Sequence, residues 1–140
     1  MNASVQFDAS SFLADPELVA ALETRATPIP CDTDRVLFRQ GDAATGVFIV
    51  HQGMVTLTMN AITNEPVLWF QASAGSVLGL PGIIGNQPYS LTARAHSGSQ
   101  VLFVSKGDFT SLMQTSPQLS LKVLQVLAAE VRTARRALYA

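Results

Sequence analysis

Side chains able to do chemistry are sparse in this chain. There are two histidines, His51 and His96, and one cysteine, Cys31. Between Ala74 and Ala95 runs AGSVLGLPGIIGNQPYSLTARA, with four glycines and two prolines but a single charge, Arg94. Glycine-rich turns let a backbone approach a ligand closely, commonly a phosphate. A phosphate site normally needs a cation at hand, and this turn is almost uncharged. The histidines form no His-x-His pair and have no glutamate at ligand spacing, which argues against a cupin-type metal enzyme. Ser90, Thr92 and His96 could suggest a nucleophile and base. No nucleophile elbow surrounds them and no acid is placed to orient the histidine, so they read as strand residues. Cys31 follows a proline in a turn without a cationic activator, the setting of an inert thiol. A lone cysteine allows neither an intrachain disulfide nor a cysteine-held iron–sulfur cluster. His51, His96, Cys31 and Met54 are conceivable haem ligands but read as ordinary strand or surface residues. The expectation is a non-enzymatic protein without metal or cofactor.

The elements that would hold these residues follow from the pattern. In ADPELVAALETRA, Asp15 can cap a helix, Pro16 suits its first turn and Glu17 favours its positive end. This predicts a helix within residues 12–27, stopped by Thr27-Pro28-Ile29-Pro30. Residues 35–104 change texture: RVLFRQ, GVFIVHQG, VTLTMN, PVLWFQA, SLTARAH and QVLFVS alternate with glycine- and asparagine-bearing turns. Short strands at this spacing make a sandwich, barrel or jelly roll. Residues 105–138 turn helical. SKGDFTSLMQTS is a short helix capped by Ser105, and a long one follows Ser116-Pro117. On that long helix Leu124, Leu127, Val131, Ala134 and Leu138 follow a coiled-coil-like 3-4 spacing, beside a second stripe of Leu119, Val123 and Val126. One stripe can pack on the β core, and the other needs a second surface, most simply a twin helix, which predicts a homodimer.

The bulk composition sets limits. The chain has 140 residues, enough for one domain with a substantial core. Hydrophobic residues make up 48% and charged residues 14%, with a formal net charge of −1. No global basic field recruits nucleic acid. No apolar run approaches the roughly 18 residues of a membrane span. The start, MNASVQFDAS, lacks the basic and apolar regions of a secretory signal, so a cytoplasmic location is expected.

Helix, β roll and long C-terminal helix, taken with VLFRQGDAATGVFIVHQG at 36–53 and GSVLGLPGIIGNQPYSLTARA at 75–95, resemble the cyclic-nucleotide-binding domain of catabolite-activator-type regulators, kinase regulatory subunits and gated channels. The resemblance spans roughly residues 12–138. It implies a mainly β fold: a jelly roll, or double-stranded β-helix, flanked by an N-terminal helix and a long C-terminal helix. In ligand-binding relatives the phosphate-binding cassette has a glycine followed by a glutamate for the ribose hydroxyl. Further on, an arginine holds the cyclic phosphate, with a hydroxyl beside it. Carried onto this sequence, the glycine is Gly79, the glutamate position is Leu80, the arginine position is Tyr89 and the hydroxyl is Ser90. Pro81 also removes an N–H where the short helix would begin. The implied pocket (Gly79, Leu80, Pro81, Tyr89, Ser90) keeps the turn and lacks the charges. Arg94 lies at an odd offset from Tyr89, on the opposite face of a strand.

The resemblance therefore implies a sensor, regulatory or interaction module that does not take cyclic AMP or cyclic GMP in the usual way. Its ligand would be neutral or apolar, if it has one. The alternative is a cyclic-nucleotide-binding signalling protein with altered contacts. Related regulators continue into a helix-turn-helix, and 140 residues leave no room for one, so DNA binding is not expected. Lys122, Arg132, Arg135 and Arg136 mark a flank of the last helix where a protein partner could land, although cations also suit that end of the dipole.

Overall fold

The structure, a computed structural model, describes residues 5–7, 9–60, 63 and 66–139. Two sheets face each other. The first has five strands in the order β1 (Val5–Phe7), β6 (Pro66–Ser73), β5 (Met54–Asn60), β8 (Thr92–Ala95) and β3 (Arg35–Phe38). The second has four: β2 (Thr27–Ile29), β9 (Gln100–Ser105), β4 (Gly46–Gln52) and β7 (Val77–Leu78). All described pairings are antiparallel except β1 on β6. This is the jelly roll that the resemblance implies, one of the architectures the alternating texture allows. The strand-forming runs read from the sequence correspond to β3, β4, β5, β6, β8 and β9.

Strand β4 fixes the layering. Its GVFIV segment does not alternate between polar and apolar, because both faces are covered. Phe48 and Val50 join Phe38, Val55, Leu57 and Phe70 between the sheets. Val47 and Ile49 face the other way, into a second cluster under the helices. That cluster holds Leu18 and Leu22 of α1 (Pro16–Glu23), Phe109 and Leu112 of α3 (Lys106–Thr115), and Leu119, Val123 and Val126 of α4 (Gln118–Tyr139). Each large buried aliphatic or aromatic side chain contributes about 1.5–3 kcal/mol of transfer free energy, so the helices are fastened to the roll by apolar burial.

Helix α1 starts where the sequence indicates. The Glu17 N–H donates to the Asp15 carboxylate at 2.8 Å. It is shorter than the 12–27 span, however. A 3-10 turn at Ala9–Phe12 precedes it, and Thr27–Ile29 is already strand β2, paired with β9. Pro28 tolerates this because β2 is an edge strand, where a missing ladder donor costs little. Helix α3 is capped as its sequence suggests: the Asp108 N–H donates to Ser105 Oγ at 3.1 Å.

The two stripes of α4 meet different surroundings. Leu119, Val123 and Val126 are buried against the body, whereas Leu121, Leu124 and Val131 are 63%, 56% and 49% exposed. Leu127 is half-buried against the helix-side cluster and Ala134 is exposed. Leu138 belongs to α4 by its backbone, but its side chain lies outside the described residues.

Candidate ligand site

The glycine-rich turn becomes β7, then Gly79, then α2 (Leu80–Gly85). Gly79 has φ +92°, and a Cβ there would lie 3.0 Å from the ring of Tyr89 and 3.2 Å from the Gly46 carbonyl. A residue with a side chain would be strained on both counts. The glycine is thus accounted for by the turn itself and by what packs on it, with no bound phosphate required.

What packs on it is Tyr89. Its ring is buried and stacked on Phe38, centroids 4.1 Å apart. Its hydroxyl donates to the Gly46 carbonyl at 2.7 Å and accepts from the N–H groups of Thr45 at 3.1 Å and Gly46 at 3.2 Å. The Tyr89 backbone is held as well: its N–H donates to the Asp42 carbonyl, and its carbonyl accepts from Gly41. Every polar group of the residue is spent on the 41–46 turn. The cleft beside it, lined by Gly79, Pro81, Gly82, Tyr89, Ser90 and Leu91 among others, has a volume of about 10 Å³. That is room for one water at most. Leu80 does not line this cleft. It is fully buried in the helix-side cluster with Val47 and Val77. Gly79, Pro81, Tyr89 and Ser90 therefore come together, and Leu80 turns away from them.

A larger cavity, about 250 Å³, lies where α4 passes over the roll. Phe12, Met59, Leu68, Phe70, Leu127 and Val131 supply apolar walls, and Pro81 and Ser90 are shared with the narrow cleft. Thr133 adds a hydroxyl to that of Ser90, and two further polar side chains intrude, Ser11 and Glu130. Ser11 Oγ and Glu130 Oε2 are both buried without a hydrogen-bond partner among the described residues. Burial pushes the Glu130 carboxyl from 4.5 up to about 8. Its helical neighbours three and four residues away are Val126, Leu127, Thr133 and Ala134, so its own helix offers no cation. Glu130 was not among the residues singled out from the sequence. The signal was available: it continues the buried spacing of Leu119, Val123 and Val126 by four residues, a charge at a core-facing position.

Comparison with known proteins agrees with this architecture. A family model described as the cyclic nucleotide-binding domain matches residues 29–116. The chain belongs to the cyclic nucleotide-binding domain family. Among solved structures, the Thermus thermophilus catabolite activator protein superposes with a TM-score of 0.78 at 20% identity, over 89% of this chain and 58% of that one. The sensor domain of the transcriptional regulator DNR from Pseudomonas aeruginosa gives 0.67 at 19% identity, over 87% and 82%. At these identities the likeness establishes the fold. Among curated proteins, the human patatin-like phospholipase domain-containing protein 6 is 27% identical over 120 residues, which is 85% of this chain and 8% of that protein. The chain thus spans less than a tenth of the curated relative it matches.

Within this cyclic nucleotide-binding fold the remaining candidates lie outside both the narrow cleft and the larger cavity. Arg94 is exposed between buried Ala93 and Ala95, on the outer face of β8, as its offset requires. His51 Nδ1 lies 2.8 Å from the Glu23 carboxylate, tying β4 to α1. His96 Nε2 lies 2.7 Å from Thr56 Oγ1. Cys31 is buried in the core, and burial raises its thiol pKa. Among the described residues, no group of three or more His, Cys, Asp or Glu side chains could hold a metal ion. No described helix is long and apolar enough to cross a membrane. Lys122 does not belong to a free basic flank: its ammonium pairs with Asp15 at 2.8 Å and Glu17 at 3.7 Å. Arg132, Arg135 and Arg136 are exposed.

Proposed function

We propose that this chain is a non-catalytic regulatory module of the cyclic nucleotide-binding family whose phosphate end is occupied by its own Tyr89. The observation that carries the reading is the hydroxyl of Tyr89, bound three ways to Thr45 and Gly46 where the resemblance places an arginine. A cyclic phosphate there would meet an aromatic ring and no cation. Leaving one member of a buried charge pair without its partner costs about 3–5 kcal/mol, roughly 10²–10⁴ in affinity. The volume of the cleft points the same way.

In this reading the module works in the cytoplasm through α4, as a homodimer or by docking a protein. The exposed Leu124 and Val131 support the first surface, and Arg132, Arg135 and Arg136 the second. Calorimetry with cyclic AMP and cyclic GMP at millimolar concentration tests the reading. No saturable heat is expected. A micromolar Kd would overturn it in favour of a cyclic-nucleotide receptor with altered contacts.

A further inference from the structure

The cavity under α4 combines three properties. It is walled by apolar side chains and, among the described residues, it has two buried polar atoms without partners and no lysine or arginine in its lining. A buried oxygen without a partner costs about 1–3 kcal/mol, and fully apolar cavities stay dry while polar ones take up water or another hydrogen-bonding group. Glu130 Oε2 and Ser11 Oγ can therefore each accept a hydrogen bond from a bound group. A phosphate, sulfonate or carboxylate would bury its charge among apolar walls with no described cation to offset it. A ligand bearing an N–H satisfies the glutamate, and its apolar body fills the space between Phe12, Phe70 and Leu127.

We propose that this cavity is a binding site for a small apolar amine, whose N–H donates to Glu130 and whose ring or chain body lies against Phe12, Phe70, Leu127 and Val131. The proposal rests on the reading above only in that the phosphate end of the cleft is closed. Burial also places the carboxyl near neutrality, so it can meet an uncharged arylamine as an acid or a basic amine as a carboxylate.

The test uses two fluorescent probes sharing one skeleton. N-phenyl-1-naphthylamine is uncharged and has one N–H; 8-anilino-1-naphthalenesulfonate adds an anion. The full chain should bind the uncharged probe saturably and the sulfonate at least about tenfold more weakly. Glu130→Leu removes the acceptor without adding a buried polar group. It should weaken the uncharged probe by about tenfold or more, the worth of a hydrogen bond to a charged or acidic group. Ala134→Phe, on the exposed side of the cavity lining, should block it while leaving the fold intact by circular dichroism. Equal binding by wild type and both variants would mean that the probe reports the exposed face of α4, and the proposal fails. Equal affinity for the two probes would overturn the ligand class. Absence of probe binding in a chain that sediments as a dimer would give this face to a second copy and also overturn it. None of these results bears on the cyclic-nucleotide calorimetry, so the two readings fail separately.

Discussion

Replacing Glu130 with glutamine should make the protein more stable, increasingly so as pH rises. The carboxyl goes from 4.5 to about 8 on folding because burial disfavours its charged form. Below about pH 4.5 both folded and unfolded chains carry the proton, and the ionisation of Glu130 contributes nothing to stability. Between 4.5 and 8 the folded chain keeps the proton and the unfolded chain loses it, so stability falls as pH rises. Above about 8 the loss is complete. At about 1.4 kcal/mol per pH unit the full window amounts to roughly 5 kcal/mol, and about 3 kcal/mol has gone by pH 7. These are upper values, since α4 can shift and admit water. Even half would be a large share of the 5–15 kcal/mol typical of a domain. Among the described residues no other titratable side chain lines the cavity, and Tyr89 in the adjoining cleft is engaged with the 41–46 turn. Urea unfolding of wild type and Glu130→Gln at pH 5, 6, 7, 8 and 9 reads the effect. The two should nearly coincide at pH 5, with the variant ahead by several kcal/mol at pH 8 and 9. Parallel profiles across this range would refute the argument and mean that Oε2 is solvated in the folded chain.

Three further outcomes follow from the same contacts. Tyr89→Phe keeps the stack on Phe38 but strips the hydroxyl from the buried Gly46 N–H; it should cost about 1–3 kcal/mol in urea unfolding, and an unchanged midpoint would mean the hydroxyl does not hold the turn. Leu124→Glu places a charge on the exposed strip, not on the body, so it should leave unfolding unchanged while shifting sedimentation from dimer to monomer; a variant that remains dimeric assigns the interface elsewhere. Lys122→Met removes the hydrogen-bonded ammonium that does most to lower the Asp15 pKa, so the carboxyl should titrate closer to 3.8 by NMR. Because a lowered acid pKa stabilises above the unfolded value and is lost as pH falls through the folded one, the variant should also lose part of the wild type's steepening below pH 4.

The sequence spoke clearly where one physical constraint acted alone. Strands β3 to β6, β8 and β9 announce themselves by β-branched and aromatic runs between turn residues, and α1 and α3 by their capping side chains. Strands β2 and β7 were too short to show a period; β2 also carries Pro28, which argues against a strand everywhere except at an edge. Within the cassette, Tyr89 was legible because a bulky residue at a charged position must change the chemistry. The direction of Leu80 was not. It follows a glycine at φ +92°, and that left-handed turn swings it under the helices and away from the cleft. Glu130 was hidden by company. A glutamate ahead of three arginines on a long helix looks like solvated surface. Only the spacing from Leu119, Val123 and Val126 places it inward, and only the roll beneath shows that no cation among the described residues meets it.

The same placement links the cavity to whatever surface α4 presents. Val131 and Ala134 line the cavity and also belong to the 3-4 seam that continues from Leu124. A ligand seated against Val131 fixes the distal half of α4 from below, and a twin helix or protein partner fixes it from above. If either occupant prefers one position of the helix, thermodynamic linkage makes the effect mutual: the ligand strengthens or weakens association by the same factor by which association changes ligand affinity. Glu130 sets the sign of a third influence. Its ionisation opposes burial of this part of α4, so raising pH through the range up to about 8 loosens the helix from the roll. An outward shift of α4 changes the exposure of Leu127 and Val131 together, because they lie four residues apart on one face. With the phosphate end closed by Tyr89 as proposed, the distal half of α4 is the element on which the proposed ligand, a partner and pH would all act.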